Sequence, residues 1–560
     1  MLTTLTAPAF AGTWYIENGD ITVKASGTEG KNTVSQGNKK DVEDTNTIIT
    51  NQKTDTASSN TVTIEANDKD DKVEVTLKDV NIDASSRNEA AVSVTGKGDT
   101  NIELDGDNKL QSGSGHAGLE HNKTDTSGEL TIQDNDKNGS LKAAGGQFGA
   151  GIGGAGAAND AQVKITGGKI TATGGEYGAG IGGGFKGSGD VTISGGEIHA
   201  NGGNYGAGIG GGQYSSGKVT ITGGEINATG GYLGAGIGGG EKGSGDVTIT
   251  GGEITSATGG KYGAGIGGGK EGRGDVTIEG NTEVNAAGGT GGAGIGGGYG
   301  AKNNSNSTGN QITIRSNENG SPTVNAVGGG TKKGIADIGG AGIGTDCNSN
   351  ADTTITLEGK VTIKATAGKG NVAIGTNGNE QVFTGLAGGT SITRKDSDKN
   401  DIPPLPGDNV PTPSGGDTAG GGSTGGGSTG GGSAGGGSTG GDSTGGDSAD
   451  VSVQESVFPG LVVTGKDGQR TSYTSIRGNN VLSLRVGRFT ASFRISLSTL
   501  RQLRAEGIDT ITFQTILCST TLSVDELLAL GGEDTPVALA HSMGTARLTV
   551  GGADHSELLK

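Results

Sequence analysis

Several residues recur in this chain at spacings that could do chemistry. Glu197, Glu225 and Glu253, preceded by Lys169 and followed by Glu283, each stand before a hydrophobe at intervals of 28 to 30 residues. On stacked coils such carboxylates would form a column about 4.8 Å apart. The column is either a solvated face screened by water and lysine, or a set of oxygens that hold a saccharide or a calcium ion. Asp134-Asn-Asp-Lys-Asn-Gly139 matches the opening of a calcium loop, which makes Asp134, Asp136 and Asn138 metal-ligand candidates. Gly145 stands where a bidentate glutamate would close that loop, and this favours a plain turn. Phe148, Tyr177, Tyr205, Leu233 and Tyr262 form a further series, four residues before a repeated isoleucine. Sugars pack on aromatic rings, yet on a continuous strand Tyr177, Ala179 and Ile181 would share the buried face. The expectation is therefore a structural stack inside the fold. Tyr232, beside Leu233, joins Glu197, Glu225 and Glu253 as a carbohydrate-binding candidate.

Other patterns lead less far. Thr192-x-Ser194, Thr220-x-Thr222 and Thr248-x-Thr250 resemble the threonine rows of ice-binding solenoids, but Lys164 and Glu279 interrupt them, and threonine is simply a good strand residue. Arg273-Gly-Asp275 aligns with Ser188-Gly-Asp190 and Ser244-Gly-Asp246, so it is a turn with serine changed to arginine. Cys518 with His541 or His555 could be imagined as a thiol site, although a buried cysteine near a strand end is the ordinary outcome.

The elements that must position these residues follow from the repeat. GAGIGG places its isoleucine at 152, 181, 209, 237, 266 and 295, with weaker returns at Ile343, Ile374 and Leu119. One unit, Asp190 to Gly212, reads as three short alternating stretches separated by glycine-rich bends. Val191, Ile193, Ile198, Ala200, Ala207 and Ile209 should point inward, and Thr192, Ser194, Glu197 and His199 outward. The glycines of the motif would leave one face nearly bare of side chains. Ten or so glycines per unit exclude helix, and the absence of a Gly-X-Y period excludes collagen.

Composition agrees with thin, stacked coils. Of 560 residues 121 are glycine, and only 29% are hydrophobic, too few for a thick core but enough for a solenoid, whose stability grows with repeat number. The net charge of -18 argues against nucleic acid. No apolar run is long enough to span a membrane. Met1 to Ala11 ends in Ala-Phe-Ala, the pattern of a signal-peptidase site, and reads as the remnant of a signal peptide. Residues 12–395 read as the solenoid, with its strict repeats at about 145–300. Residues 396–450 are a Pro-rich and then Gly/Ser/Thr-rich flexible linker. Residues 451–560, with conventional hydrophobic runs, read as a small α+β domain. Its expected helices are Thr499–Glu506 and one after Ser523, where Ser-Val-Asp-Glu526 is a capping box.

With Trp14-Tyr-Ile-Glu-Asn-Gly-Asp-Ile-Thr-Val23, Asp79-Val-Asn-Ile82 and the YGAGIGGG arrays in view, residues 12–395 resemble the bacterial carbohydrate-binding-domain β-helix proteins, which are extracellular and pectate-lyase-like in fold. The resemblance implies an all-β, right-handed parallel β-helix, non-catalytic binding of a pectin-like or other cell-wall polysaccharide, and bound calcium. Lyases and hydrolases of this fold need a basic residue beside calcium-binding carboxylates or converging aspartates. Residues 12–450 hold only Arg87, Arg273, Arg315 and Arg394, with no such motif around them. The expectation is a monomeric, non-enzymatic binding or display protein at the cell surface or beyond it. An adhesin or spacer that projects a protein-binding C-terminal domain is the alternative, and a polysaccharide lyase or hydrolase a distant third.

Overall fold

The computed structural model describes residues 12–405 and 461–559, except residues 29, 158, 304–308, 331–338, 347–348, 377, 385, 466–470, 472, 479, 487–489, 516–517, 533–534 and 543–544. The expected signal remnant, most of the linker and Cys347 lie outside the described residues.

A single repeat explains why the chain coils. Its strands are Gly189–Ile193, Glu197–Asn201 and the two-residue Ile209–Gly210. Alternation turns Val191, Ile193, Ile198, Ala200, Ala207 and Ile209 inward, where none is more than 1% exposed. Thr192, Glu197 and His199 lie half-buried on the outer side, and Ser194 is exposed there. No single coil encloses these few side chains. Each strand therefore pairs in parallel with its counterpart one coil on: Val191 with Val219, Ile198 with Ile226, Ile209 with Ile237. Like residues stack on like along the axis, and the stacking builds the core.

Repetition produces three sheets. Among the described residues, face one has twelve strands, with Thr13–Tyr15 and Thr353–Glu358 at its edges. Face two also has twelve, from Asn81–Asp83 to Asp401–Ile402, and face three has fifteen, from Lys39–Asp44 to Asn379–Glu380. This is the parallel β-solenoid expected from the repeat. Where the interval lengthens between Ile237 and Ile266, face two absorbs the extra residue as a bulge in Glu253–Thr258. There the Thr255 hydroxyl donates to the Ile226 carbonyl at 2.9 Å.

Both rod ends are covered by antiparallel pairs, which deal with the exposed strand edges of an open solenoid. At the start, Asn32–Gln36 pairs with Ile21–Ala25 and with Lys39–Asp44. Buried Trp14 donates its indole N–H to Asp44 at 2.6 Å. At the other end, Asn379–Glu380 folds back on Ile374–Thr376, and Asp401–Ile402 on Ser391–Lys395. Arg394 follows Ala365 in register but replaces the small apolar residue with a buried guanidinium. It lies over the Phe383 ring at 5.7 Å and donates to the Gln381 carbonyl at 3.0 Å.

The chain divides into two compact units, Met1–Val410 and Pro411–Lys560. The second has its own core around Phe493, Phe513 and Leu500. Among its described residues are a five-stranded and a four-stranded sheet and the helices α1 (Leu497–Ala505) and α2 (Val524–Leu528). Ser496 and Ser523 cap the helices by accepting from the Thr499 and Glu526 amides. The first helix starts ahead of the expected Thr499 because Ser496 supplies its cap.

Candidate functional site

Face three is only an Ile-Gly pair wide in each repeat, so the two glycine-rich turns beside it dominate that corner of the rod. The first turn of one coil meets the second turn of the next through the backbone. The Gln213 amide donates to the Tyr177 carbonyl at 2.9 Å, and Glu241 to Tyr205 at 2.8 Å. These turns close over the motif, so Gly180, Gly182, Gly183 and Gly184 are buried. The expected bare glycine face is not there.

The aromatic series also differs from expectation. Phe148, Tyr177, Tyr205 and Tyr262 are half-exposed on the corner, and Leu233 alone of the series is buried. Alternation does not reach them, because Gly178-Ala179-Gly180 is a turn and the strand begins only at Ile181. On the surface they build a ladder. Phe148 stacks on Tyr177 and Tyr177 on Tyr205, each at 5.2 Å between centroids with planes 10° apart. Phe185, from the second turn, packs edgewise on Phe148, Tyr177 and Tyr214 at 5.8, 5.5 and 6.2 Å. Farther along, Tyr262 meets Tyr232 at 5.9 Å and Tyr299 at 5.2 Å. Burial among these neighbours, with the charge of Glu176, holds the Tyr177 phenol above its ordinary pKa.

Lysines interleave with the rings. Lys186 lies 5.2 Å over Phe185, and Lys242 5.3 Å over Tyr214. Lys261 sits between Tyr232 and Tyr262, at 5.2 and 4.9 Å from their centroids, and donates to the Tyr232 hydroxyl at 2.9 Å. That hydrogen bond, with a second from Lys261 to the Tyr262 hydroxyl, raises the Lys261 pKa. Neighbouring Lys270 and Lys302 instead pair with Glu241 and Glu271.

The tip of the second turn carries a backbone oddity. Ala157, Lys186, Tyr214, Lys242 and Glu271 occupy equivalent places in successive coils, all with φ between 58° and 70°. A side chain in this left-handed region costs about 1 kcal/mol relative to glycine. Glycine takes the place only at Gly300, φ 68°. The Lys186, Tyr214 and Lys242 side chains stand in solvent.

The other candidates fall elsewhere. Glu197, Glu225, Glu253 and Glu283 do pair in register on face two, forming the expected column. Glu197 takes hydrogen bonds from Lys169 and His199, both at 3.0 Å. Tyr232, 51% exposed, belongs to the corner beyond the far end of its face-two strand, so it does not share a patch with the glutamates. Asp134 and Asp136 come together with Glu103, their oxygens within 4.8 Å of one another. Asn138 donates to Asp136 at 2.9 Å and serves the turn. Burial pushes the Asp134 carboxyl up, with Asp136 adding to the effect and the Gly139 amide opposing it. Glu103 and Asn135 also line a groove of about 490 Å³ on the outer side of face one, with Asn32, Asn46, Glu74 and Asn101. Sequence reasoning missed Glu103, which reaches the pair by stacking on Gln133 one coil on. Lys186, Tyr214, Lys242 and Lys261 carried a weaker signal, a pair of bulky residues inside each glycine-rich turn.

Comparison with known proteins supports the fold. Residues 163–185, 191–213, 219–241, 247–270 and 276–299 each match the family model described as Beta helix repeat. No curated protein and no solved structure matches the chain.

Proposed function

We propose that this β-helix protein is a non-catalytic polysaccharide-binding or display protein that works outside the cell. The observation that carries the reading is the surface ladder of rings and phenolic hydroxyls at the face-three corner, repeated with the coil. A linear glycan is itself periodic, and an axial row of aromatic edges and hydroxyls offers it many weak contacts at once. Tyr232 is part of this surface, while the Glu197–Glu225–Glu253 column is a separate hydrogen-bonding face. The β-helix carries enzymes and binding proteins alike, so the fold alone decides nothing about turnover. Rings, amides and ammonium groups are recognition chemistry, and the reading is of binding without cleavage.

Affinity electrophoresis of the full chain through gels containing plant and host polysaccharides tests it. Retardation by at least one glycan is expected, weakened about tenfold by Tyr177→Ala with Tyr214→Ala, and polygalacturonate should release neither reducing ends nor unsaturated products. Free migration through every gel would sink the reading. Calcium is proposed as a stabiliser of the turn at Glu103, Asp134 and Asp136, where water would complete the six to eight oxygens it takes. Tm should rise with calcium and return with EDTA.

A second reading, a spacer that projects a protein-binding domain, is favoured by the division into two units with separate cores. Deleting residues 451–560 should then abolish adhesion and leave glycan binding intact.

A further inference from the structure

We propose that the turn tips of the face-three corner form a recognition edge for an anionic polysaccharide lying along the rod axis, with Lys186, Lys242 and Lys261 pairing its acidic groups. The inference rests on the polysaccharide-binding reading and names the class of ligand.

Three independent features lead there. The first is the backbone. In a chain with 121 glycines, the tips hold left-handed conformations with side chains in place, coil after coil. A position that favours glycine and yet carries Lys, Tyr and Lys in succession presents those groups at a cost to the fold. The tips are also held in line, because the Lys186 amide donates to the Gln213 carbonyl, Tyr214 to Glu241 and Lys242 to Lys270, at 3.0, 2.7 and 2.7 Å.

The second feature is charge. The protein is strongly acidic, at -18. At this corner Lys270 and Lys302 are matched by Glu241 and Glu271. Among the described residues, Lys186, Lys242 and Lys261 lie against rings and have no carboxylate at salt-bridge distance. Glu271 feels Lys242 only at longer range, and Glu176 is occupied by the Gln147 amide at 3.0 Å. An anionic polymer repelled by the net charge of the protein would meet Lys186 and Lys242 on the tips and Lys261 on the neighbouring first turn. Lys186 and Lys242 stand two coils apart, about 9.6 Å at sheet spacing, with Tyr214 between them.

The third is the rings. Both faces of Tyr177 are covered by Phe148 and Tyr205, so the ladder offers edges and hydroxyls rather than open faces for sugar stacking. Hydroxyl donors beside ammonium groups suit an acidic sugar better than a neutral apolar face.

Isothermal titration of the full chain with polygalacturonate, its fully methyl-esterified form and dextran sulfate tests the assignment. The acidic polymers should bind at least tenfold tighter than the neutral ester, with affinity falling as salt rises. The relative affinities of the first and third polymers tell carboxylate from sulfate. Lys186→Gly with Lys242→Gly should lose at least tenfold with Tm unchanged or raised, because glycine suits both sites. Lys186→Gln with Lys242→Gln removes the charges without freeing the backbone and should lose as much. Lys364→Gln, on face two, should bind as the parent does. Equal affinity for acid and ester, or full binding by either double variant, overturns the anionic assignment while the polysaccharide reading stands. Failure of every polymer, neutral ones included, overturns both.

Discussion

Gly210 shows how much of the rod depends on absent side chains. Its φ is +128°, and a Cβ there would lie 2.1 Å from the Gly238 carbonyl oxygen of the next coil. That oxygen is backbone and cannot step aside, so Gly210→Ala should cost at least about 2 kcal/mol and lower the rod's Tm in calorimetry. His541 in the second unit shows the reverse dependence, on a group kept uncharged. It is 1% exposed, with hydrogen bonds to the Thr515 and Thr520 hydroxyls at 3.1 and 2.9 Å, and burial pushes its pKa down to about 4. Once unfolded, the imidazole takes a proton near pH 6.5, while the folded one stays neutral until about pH 4. Stability from this group is therefore complete above pH 6.5, declines from there to about pH 4, and is level below that. The loss is up to about 3 kcal/mol. His541→Gln should flatten the fall in the second unit's transition temperature over that window.

At the scale of elements, the caps and turns carry what regular alternation does not. Trp14 is the only tryptophan, and its indole N–H is held by Asp44 of the closing antiparallel strand. Asp44→Ala strands that buried donor at a cost of about 1–3 kcal/mol, so fluorescence should shift to the red and report cap opening at lower denaturant than the parent requires. The strands themselves were readable from the sequence, because Val191, Ile193 and Ile198 alternate with polar neighbours and recur in register. The corner was not, for a physical reason. Period-two alternation places a side chain only while the backbone stays extended, and between Tyr177 and Ile181 the chain turns. The same limit hid the strained tips, since a lysine or tyrosine gives no sign in its own identity that its φ is positive. Glu103 joined Asp134 and Asp136 through coil stacking, a relation visible only after the irregular N-terminal coils are set in register. The calcium-loop pattern supplied two of that cluster's three carboxylates, and Asn138 turned out to serve the turn.

For the whole molecule, stacking makes coils interchangeable. Excising one full repeat, residues 195–222, joins Ser194 to Gly223 at equivalent positions and should leave a folded rod shorter by about 4.8 Å. Excising half as many residues should prevent folding, because every later side chain would change face. Circular dichroism and small-angle scattering distinguish the two outcomes. The hydrogen bonds that join one coil to the next, such as Gly180 to Ala207 at 3.1 Å and Ile181 to Gly208 at 3.0 Å, run along the axis. A load applied to the two ends of the rod therefore pulls on those bonds lengthwise, and coils should peel away from an end one at a time. Each would release roughly 90 Å of slack chain, which makes the rod a serial shock absorber whose force trace is a sawtooth with a tooth for each coil.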